Sequence, residues 1–225
     1  MRATQIALAL AALAMPAWGQ AGNAVVEATY TNPGVSPSRW TLTLHPDGSG
    51  HFHSERGSVP VAAQQTADAP NVDRDIQVSG AFARRVFAVA SHHQWFNTDC
   101  ESHLKVAFQG WKKLSYRGPD GQGTCVFNYA KDREVQSLGD SLVAVAGTIV
   151  EGARLEMLWQ HDRLGLDSET EYLMEAVGDG RVQQIGTIRE ILERLAEDDG
   201  VLDRVRKRAR ILLAKEGDIG PQTRF

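Results

Sequence analysis

The sequence predicts an α+β protein: an antiparallel sheet with one packed helix in the N-terminal half, followed by a helical C-terminal part. Two observations lead to this prediction. In much of the chain between residues 24 and 130, apolar and polar side chains alternate with a period of two, which is typical of strands with one face on a core. From Lys131 onward, apolar residues recur with the helical period of 3.6, and we expect one long helix and three shorter ones.

The alternation is clearest in a predicted hairpin. Every second residue from Trp40 to Leu44 is apolar, and the turn-forming segment 46–50 (Pro-Asp-Gly-Ser-Gly) leads into a second strand that ends at Glu55. Ser79 can cap a helix that runs to about His92. The same alternation indicates further strands over 24–30, 72–78, 104–108, 114–117 and 124–129, and an irregular connection over 57–71.

In the helical part, the stripe from Val135 to Trp159 predicts the long helix. We interpret Ser168 and Glu171 as a capping box that starts the next helix, which ends at the Gly178–Gly180 segment. The turn 198–200 (Asp-Asp-Gly) leads into the last helix.

The first 19 residues have the three regions of a secretory signal peptide. A charged Met1-Arg2 start precedes an apolar run over 6–15, and Ala17 and Gly19 place small residues before the expected cleavage at Gln20. The apolar run is shorter than the roughly 20 residues of a membrane-spanning helix. We therefore expect a soluble protein in the periplasm or outside the cell. The predicted organisation is a cleaved signal over 1–19, a β-rich part over 20–130, a helical part packing on it over 131–217 and a frayed tail over 218–225.

Cys100 and Cys125 are the two cysteines of the chain. An even cysteine count in an exported protein favours a disulfide, because the compartment is oxidising. This bridge would close a loop of about 26 residues and stabilise the fold by about 3 kcal/mol in the chain-entropy interpretation. The spacing lacks the C-x-x-C pattern of metal knuckles, so a zinc-binding or reactive pair is the weaker interpretation.

The charge balance argues against a nucleic-acid partner. The chain has 24 Lys and Arg against 28 Asp and Glu, and its formal net charge is −4. A nucleic-acid-binding protein needs a basic surface that neutralises phosphates. The one basic run, residues 204–210, fits a solvated helix face.

Three histidines of the predicted hairpin form the first candidate site. A five-residue turn would set His45 opposite His51, with His53 two positions further on the same face, pointing away from the apolar side chains. Imidazoles on facing strands lie about 5 Å apart at Cβ, so the three could converge on one zinc ion. The alternative interpretation is a solvated polar face of the sheet.

The segment 92–103 forms the second candidate site. It combines acid–base groups with an aromatic ring, and the expected disulfide would hold it rigid. We expect a ligand-binding site at His93, Trp95, Asp99 and His103. The alternative is that the aromatic side chains fill the edge of the core beside the bridge.

The string Gly139-Asp140-Ser141-Leu142 spells the signature of the GDSL lipases and esterases. Those enzymes need the serine after an early strand and a late Asp-x-x-His, whereas here the string lies inside the predicted long helix and no such motif follows. We therefore interpret Asp140 and Ser141 as a solvent-facing pair on a helix.

No complete catalytic set can be assembled from the sequence. We therefore expect a non-enzymatic exported protein that binds a small ligand or another protein of the cell envelope. One alternative is a metal-dependent hydrolase that uses the hairpin histidines. Another is a docking module formed by the helices over 183–214.

Overall fold

The computed structural model describes residues 24–57 and 70–215. The predicted signal peptide, the predicted tail and most of the predicted irregular connection lie outside these residues. The α+β prediction is confirmed, because the described chain contains an antiparallel six-stranded sheet and five α-helices. No helix of the described ranges is long and apolar enough to cross a membrane.

The sheet has the strand order β4-β3-β2-β1-β5-β6, with every neighbouring pair antiparallel. The first four strands follow one another as a meander, and β5 then returns to the other side of β1. The strands are β1 (Val25–Thr31), β2 (Arg39–Leu44), β3 (Ser49–Glu55), β4 (Val72–Gln77), β5 (Trp111–Gly118) and β6 (Gly121–Phe127).

One face of the sheet, the inner face, carries the main hydrophobic core. Its strands bury side chains such as Leu42, Phe52 and Leu114, each at most 1% exposed. Helix α1 (Gly80–His92) lies on this face, and the hydroxyl of Ser79 accepts a hydrogen bond from the Phe82 backbone N–H, as the capping pattern predicted.

Helix α2 (Arg133–His161) is the long helix of the prediction, and Asp132 caps it by accepting from two backbone N–H groups. Its 29 residues extend about 43 Å. The first part of the helix, as far as Ala153, packs on the sheet core. From Leu155 onward it belongs to a second core.

The second core is built by three shorter helices around the end of α2. These are α3 (Leu166–Gly178), α4 (Arg189–Glu197) and α5 (Asp203–Ala214), with a 3₁₀ turn at Ile185–Ile188. Thr148 of α2 attaches the segment before this turn, because its hydroxyl donates to the Gln183 carbonyl at 2.6 Å and accepts from the Gln183 N–H at 3.1 Å.

Two local predictions are wrong. Ser168 does not cap α3, because the helix already begins at Leu166 and the Ser168 hydroxyl donates to the Gly165 carbonyl. Residues 104–108 do not form a strand, although their apolar side chains alternate. The Asn128 side chain holds this segment away from the sheet by bonding Gln109 N–H and the Ala107 carbonyl.

The GDSL-like string has a packing role. Gly139 lets α2 approach the sheet, since a Cβ there would lie 2.9 Å from Phe127 Cζ and 3.0 Å from Lys112 Cδ. Asp140 lies 3.7 Å from the Lys112 ammonium. Ser141 is buried and accepts a hydrogen bond from Arg85 at 3.1 Å, so its predicted exposure is wrong.

A buried ionic cluster lies on α2 between the two cores. The Arg154 guanidinium is 3.2 Å from a Glu151 carboxylate oxygen and 3.3 Å from Glu169 of α3. Burial, together with the hydrogen bond between the two carboxyl groups, raises the pKa of Glu151 to about 8. Glu151 is therefore protonated in the folded protein at neutral pH.

Glu151→Gln is expected to remove the loss of stability that the wild-type protein undergoes as pH rises. The folded protein keeps the Glu151 proton up to about pH 8, whereas the unfolded chain loses it near 4.5, so its contribution to stability falls as pH rises through this window. Relative to wild type, the variant should gain up to about 3 kcal/mol between pH 5.5 and 8.5 in urea unfolding. Glu197→Gln, at an exposed position of α4, is the control. If the difference in unfolding free energy between the variant and the wild type stayed constant across this pH range, the raised pKa of Glu151 would be contradicted.

Two glycines of α2 are expected to respond oppositely to alanine. A Cβ at Gly152 would overlap the Ile188 side chain, whereas at Gly147 the nearest atom, the Arg181 carbonyl oxygen, is 4.0 Å away. Gly152→Ala should lower the free energy of unfolding by about 1–3 kcal/mol through overpacking. Gly147→Ala should raise it by about 0.5–1 kcal/mol, because alanine favours helix. Chemical denaturation measures both, and equal effects would refute the packing of α2 on the 3₁₀ turn.

Candidate functional site

The second face of the sheet, which we call the open face, is not covered by any element of the described chain. Its outward side chains form rows across the six strands. One row runs Asp75, His51, Thr43, Glu27, Ser115 and Thr124, and the next runs Asp73, His53, Thr41, Thr29, Lys113 and Val126. All twelve side chains are exposed or half-buried. The face is therefore polar and rich in threonine.

A histidine–aspartate array lies at the β3–β4 side of this face. His51 and His53 of β3 stand opposite Asp75 and Asp73 of β4. His51 Nδ1 lies 2.9 Å from Asp75, and its Nε2 lies 3.1 Å from Asp73. Asp73 also contacts His53 Nδ1 at 2.8 Å, so one carboxylate joins both imidazoles.

The array favours the charged forms of His51 and Asp73. The hydrogen bond to Asp75, with a further contribution from Asp73, raises the pKa of His51 above its ordinary value. Conversely, the hydrogen bond from His53 lowers the pKa of Asp73. Because Asp73 and Asp75 are mostly exposed, with side chains 68% and 96% accessible, these ion pairs are solvent-screened and available to a partner.

The predicted opposition of His45 and His51 is wrong. The hairpin turn is two residues tighter than predicted, because His45 N–H bonds the Ser49 carbonyl at 2.8 Å, and Asp47 accepts from the Ser49 N–H. The residue opposite His51 is therefore Thr43. His45 shares the open face with His51 and His53, as predicted.

These histidines do not form a ready-made metal site. Over 24–57 and 70–215, no three His, Cys, Asp or Glu side chains are arranged to hold one ion. An imidazole held by a carboxylate is, however, a common arrangement behind zinc ligands. Zinc binding by the hairpin histidines stays a prediction.

An open depression adjoins the array. Its volume is about 630 Å³, and its lining includes His45, His51 and Asp75 on the sheet and Gly186 and Thr187 from the 3₁₀ turn. His45 and His51 therefore lie where the open face adjoins the 3₁₀ turn of the second core.

The predicted disulfide joins Cys100 to Cys125 of β6, with their Cα atoms 5.6 Å apart. It attaches the segment after α1 to the edge strand. Next to it, the Lys131 N–H bonds the Cys100 carbonyl at 2.8 Å. The bridge therefore fixes the start of the chain that leads to β5.

Three consecutive residues before the disulfide adopt positive φ: Gln94 (53°), Trp95 (58°) and Phe96 (64°). This left-handed turn costs on the order of 1–2 kcal/mol per residue for L-amino acids. Packing offsets the cost, because Phe96 is fully buried and Trp95 stacks on Tyr116 with ring centres 4.3 Å apart.

The glycines of β6 make room for this turn. A Cβ at Gly121 would lie 2.5 Å from the Trp95 ring, and one at Gly123 would lie 2.5 Å from the Trp95 carbonyl oxygen. The glycine-rich stretch of β6 is therefore a packing surface for Trp95 as well as part of a hairpin.

The residues of the second candidate site point in different directions. His93 lies between α1 and α2, with Nε2 2.9 Å from Glu134. Trp95 packs on Tyr116, and the exposed pair Asp99 and His103 is held by a 3.3 Å contact. The described geometry therefore supports the packing interpretation of Trp95 and brings together only Asp99 and His103.

Comparison with known proteins adds no relative. No protein family model matches the chain. No curated protein matches it either. Any function has to be argued from the surface of the molecule itself.

Sequence reasoning missed the acidic half of the array. Asp73 and Asp75 alternate with the apolar residues of the correctly predicted fourth strand, which was the available signal. Their pairing with His51 and His53 depends on the β3–β4 register. The long connection between these strands gives no turn rule that would fix that register.

Asp75→Asn is expected to lower the pKa of His51, because a neutral amide no longer stabilises the imidazolium. Asp73→Asn should lower it by less, since Asp75 is its main partner. An NMR titration of the imidazole resonances measures both. A larger effect of Asp73→Asn, or none from Asp75→Asn, would contradict this array.

Proposed function

We propose that this chain is a non-enzymatic exported protein whose open face binds a protein partner with a basic surface. The observation that supports the proposal is the open face itself, with Asp73, Asp75 and Glu55 exposed at one side of it. The proposal includes the predicted export and cleavage near Gln20.

The shape of the face favours a macromolecular partner over a small ligand. Small-molecule sites are enclosed and mostly apolar, whereas the outward side chains of this face are polar and its depressions are open to solvent. Six strands of 6 to 8 residues, about 4.8 Å apart and rising about 3.3 Å per residue, give an area of about 24 by 20 Å between outer Cα positions. With the side chains at its margins included, this approaches the roughly 800 Å² that one partner contributes to a standard interface.

The charge of the face favours a basic partner. Glu55, Asp73 and Asp75 lie close together at the β3–β4 side. Arg39 stands opposite Glu55, whereas Asp73 and Asp75 contact His51 and His53, which offset their charge when protonated. A partner cation would therefore compete with the imidazolium of His51 for Asp75. Binding should weaken as pH falls and His51 becomes charged.

Site-specific photocrosslinking in the producing cell tests this function. A benzophenone residue in place of Thr41, at the centre of the open face, is expected to form one discrete adduct. The same residue in place of Glu197, exposed on α4, is the matched control and should form none. Replacing both Asp73 and Asp75 by lysine should reduce the Thr41 adduct about tenfold by charge repulsion. Adducts at both positions, or an adduct indifferent to the lysines, would refute the proposal.

A zinc titration separates this function from the metal-dependent hydrolase. The hydrolase needs a bound ion at His45, His51 and His53. A Zn²⁺-dependent rise of Tm that disappears in the variant His51→Ala/His53→Ala would favour the hydrolase. A Tm indifferent to zinc would favour the binding protein.

A further inference from the structure

The segment 102–110, which we call the apolar loop, exposes large apolar side chains at one end of the sheet. Leu104 is 63% exposed and Phe108 is 50% exposed. Phe108 meets Trp111 of β5 edge to face, with ring centres 6.0 Å apart, and Trp111 is itself 49% exposed. Val106 and Val126 are exposed as well. Contiguous exposed apolar side chains usually mark a contact surface.

The loop is held in place at both ends. The Ser102 N–H bonds the Tyr129 carbonyl, and Gln109 is fixed through its N–H to Asn128 and through its carbonyl to the Tyr30 hydroxyl. Gly110, at φ +101°, lies so close to the Tyr30 ring that a Cβ would overlap it. The apolar side chains are therefore presented by an ordered support.

Charge distinguishes this surface from the rest of the protein. Lys105 lies between the exposed Leu104 and Val106, and Lys113 lies beside Val126 on the open face. Two carboxylates lie at the start of the loop. Asp99 contacts His103 and Lys131, and Glu101 accepts hydrogen bonds from the Ser102, His103 and Asn128 N–H groups. The chain as a whole has a net charge of −4, so this end presents cations where the average surface is acidic.

We propose that the apolar loop, with Trp111 and Lys113, binds the surface of an anionic phospholipid bilayer. Leu104, Phe108 and Trp111 would enter the headgroup region, and Lys105 and Lys113 would contact lipid phosphates. This inference is carried by the exposed side chains of the loop and not by the proposed partner, although Lys113 and Val126 belong to the open face as well.

The observations favour a bilayer over the other possible occupants. In a symmetric contact between two copies, the same patch faces itself, so Lys105 and Lys113 of both copies would be brought into one interface. A peptide strand would need a free backbone edge, whereas in the loop the Val106 N–H bonds the Leu104 carbonyl and Asn128 occupies the Ala107 carbonyl.

Vesicle sedimentation tests the proposal. The protein is recovered after export, and mass spectrometry verifies its N-terminus, because an uncleaved apolar leader would bind vesicles by itself. Vesicles are phosphatidylcholine alone or phosphatidylcholine with phosphatidylglycerol. Partitioning onto the anionic vesicles should be at least about fivefold stronger, and high salt should reduce it.

Paired variants assign the binding to the loop. Leu104→Ala with Phe108→Ala should weaken partitioning on the order of tenfold, and so should Lys105→Glu with Lys113→Glu. The matched control is Leu164→Ala with Ile211→Ala, which removes exposed apolar side chains of the helical part and should leave partitioning unchanged. Circular dichroism verifies that each variant is folded.

Brominated lipids locate the contact. Fluorescence quenching, measured on the vesicle-bound protein and normalised to the bound fraction, should be lower in Trp111→Phe than in the wild type. Three outcomes would overturn the proposal: no binding to anionic vesicles, equal binding by the loop variants, or a dimer in sedimentation equilibrium that only the loop variants abolish. The last outcome would assign the patch to a second copy of the chain.

Discussion

The packing of α2 holds this molecule together. Its first part covers the inner face of the sheet, and its last turns complete the core of the three C-terminal helices. The part of α2 between the two cores is buried on nearly all sides. This explains why the residues there are small or carry charges that are neutralised by an ion pair. Gly152 admits Ile188, and Arg154 lies between two glutamates. Because α2 covers the inner face, a binding or reactive surface of the sheet has to lie on the open face or at the ends of the strands.

The strands and helices were predictable because their signals are local. Alternation over Trp40–Leu44 and the Ser79 cap depend on neighbours within a few residues, and both appear in the fold as expected. The prediction that Ser168 caps α3 was wrong because a Ser-x-x-Glu pattern can also lie inside the first turn of a helix. The alternation over 104–108 misled because period two describes any extended chain, whether or not a strand stands beside it.

The candidate sites were less predictable, since they depend on register and on distant packing. A turn tighter by two residues moved His45 away from His51, although the face of each side chain was right. The partners in β4 could not be foreseen across a long connection. The left-handed turn at Gln94–Phe96 contains none of the glycine, asparagine or aspartate residues that favour positive φ. Its stability comes from Tyr116 and from the glycines of a strand more than 20 residues away.

The arrangement of α2 also restricts the order in which the chain can fold during synthesis. The meander β1–β4 and helix α1 are complete by His92, yet the helix that covers much of their inner face begins only at Arg133. Until then, Leu42 and Phe52 lack part of their packing, and β1 lacks the neighbour that β5 provides. An N-terminal fragment that ends near residue 130 would therefore expose an apolar sheet face. Such a chain gains most of its stability late in synthesis, once α2 and β5 have been made.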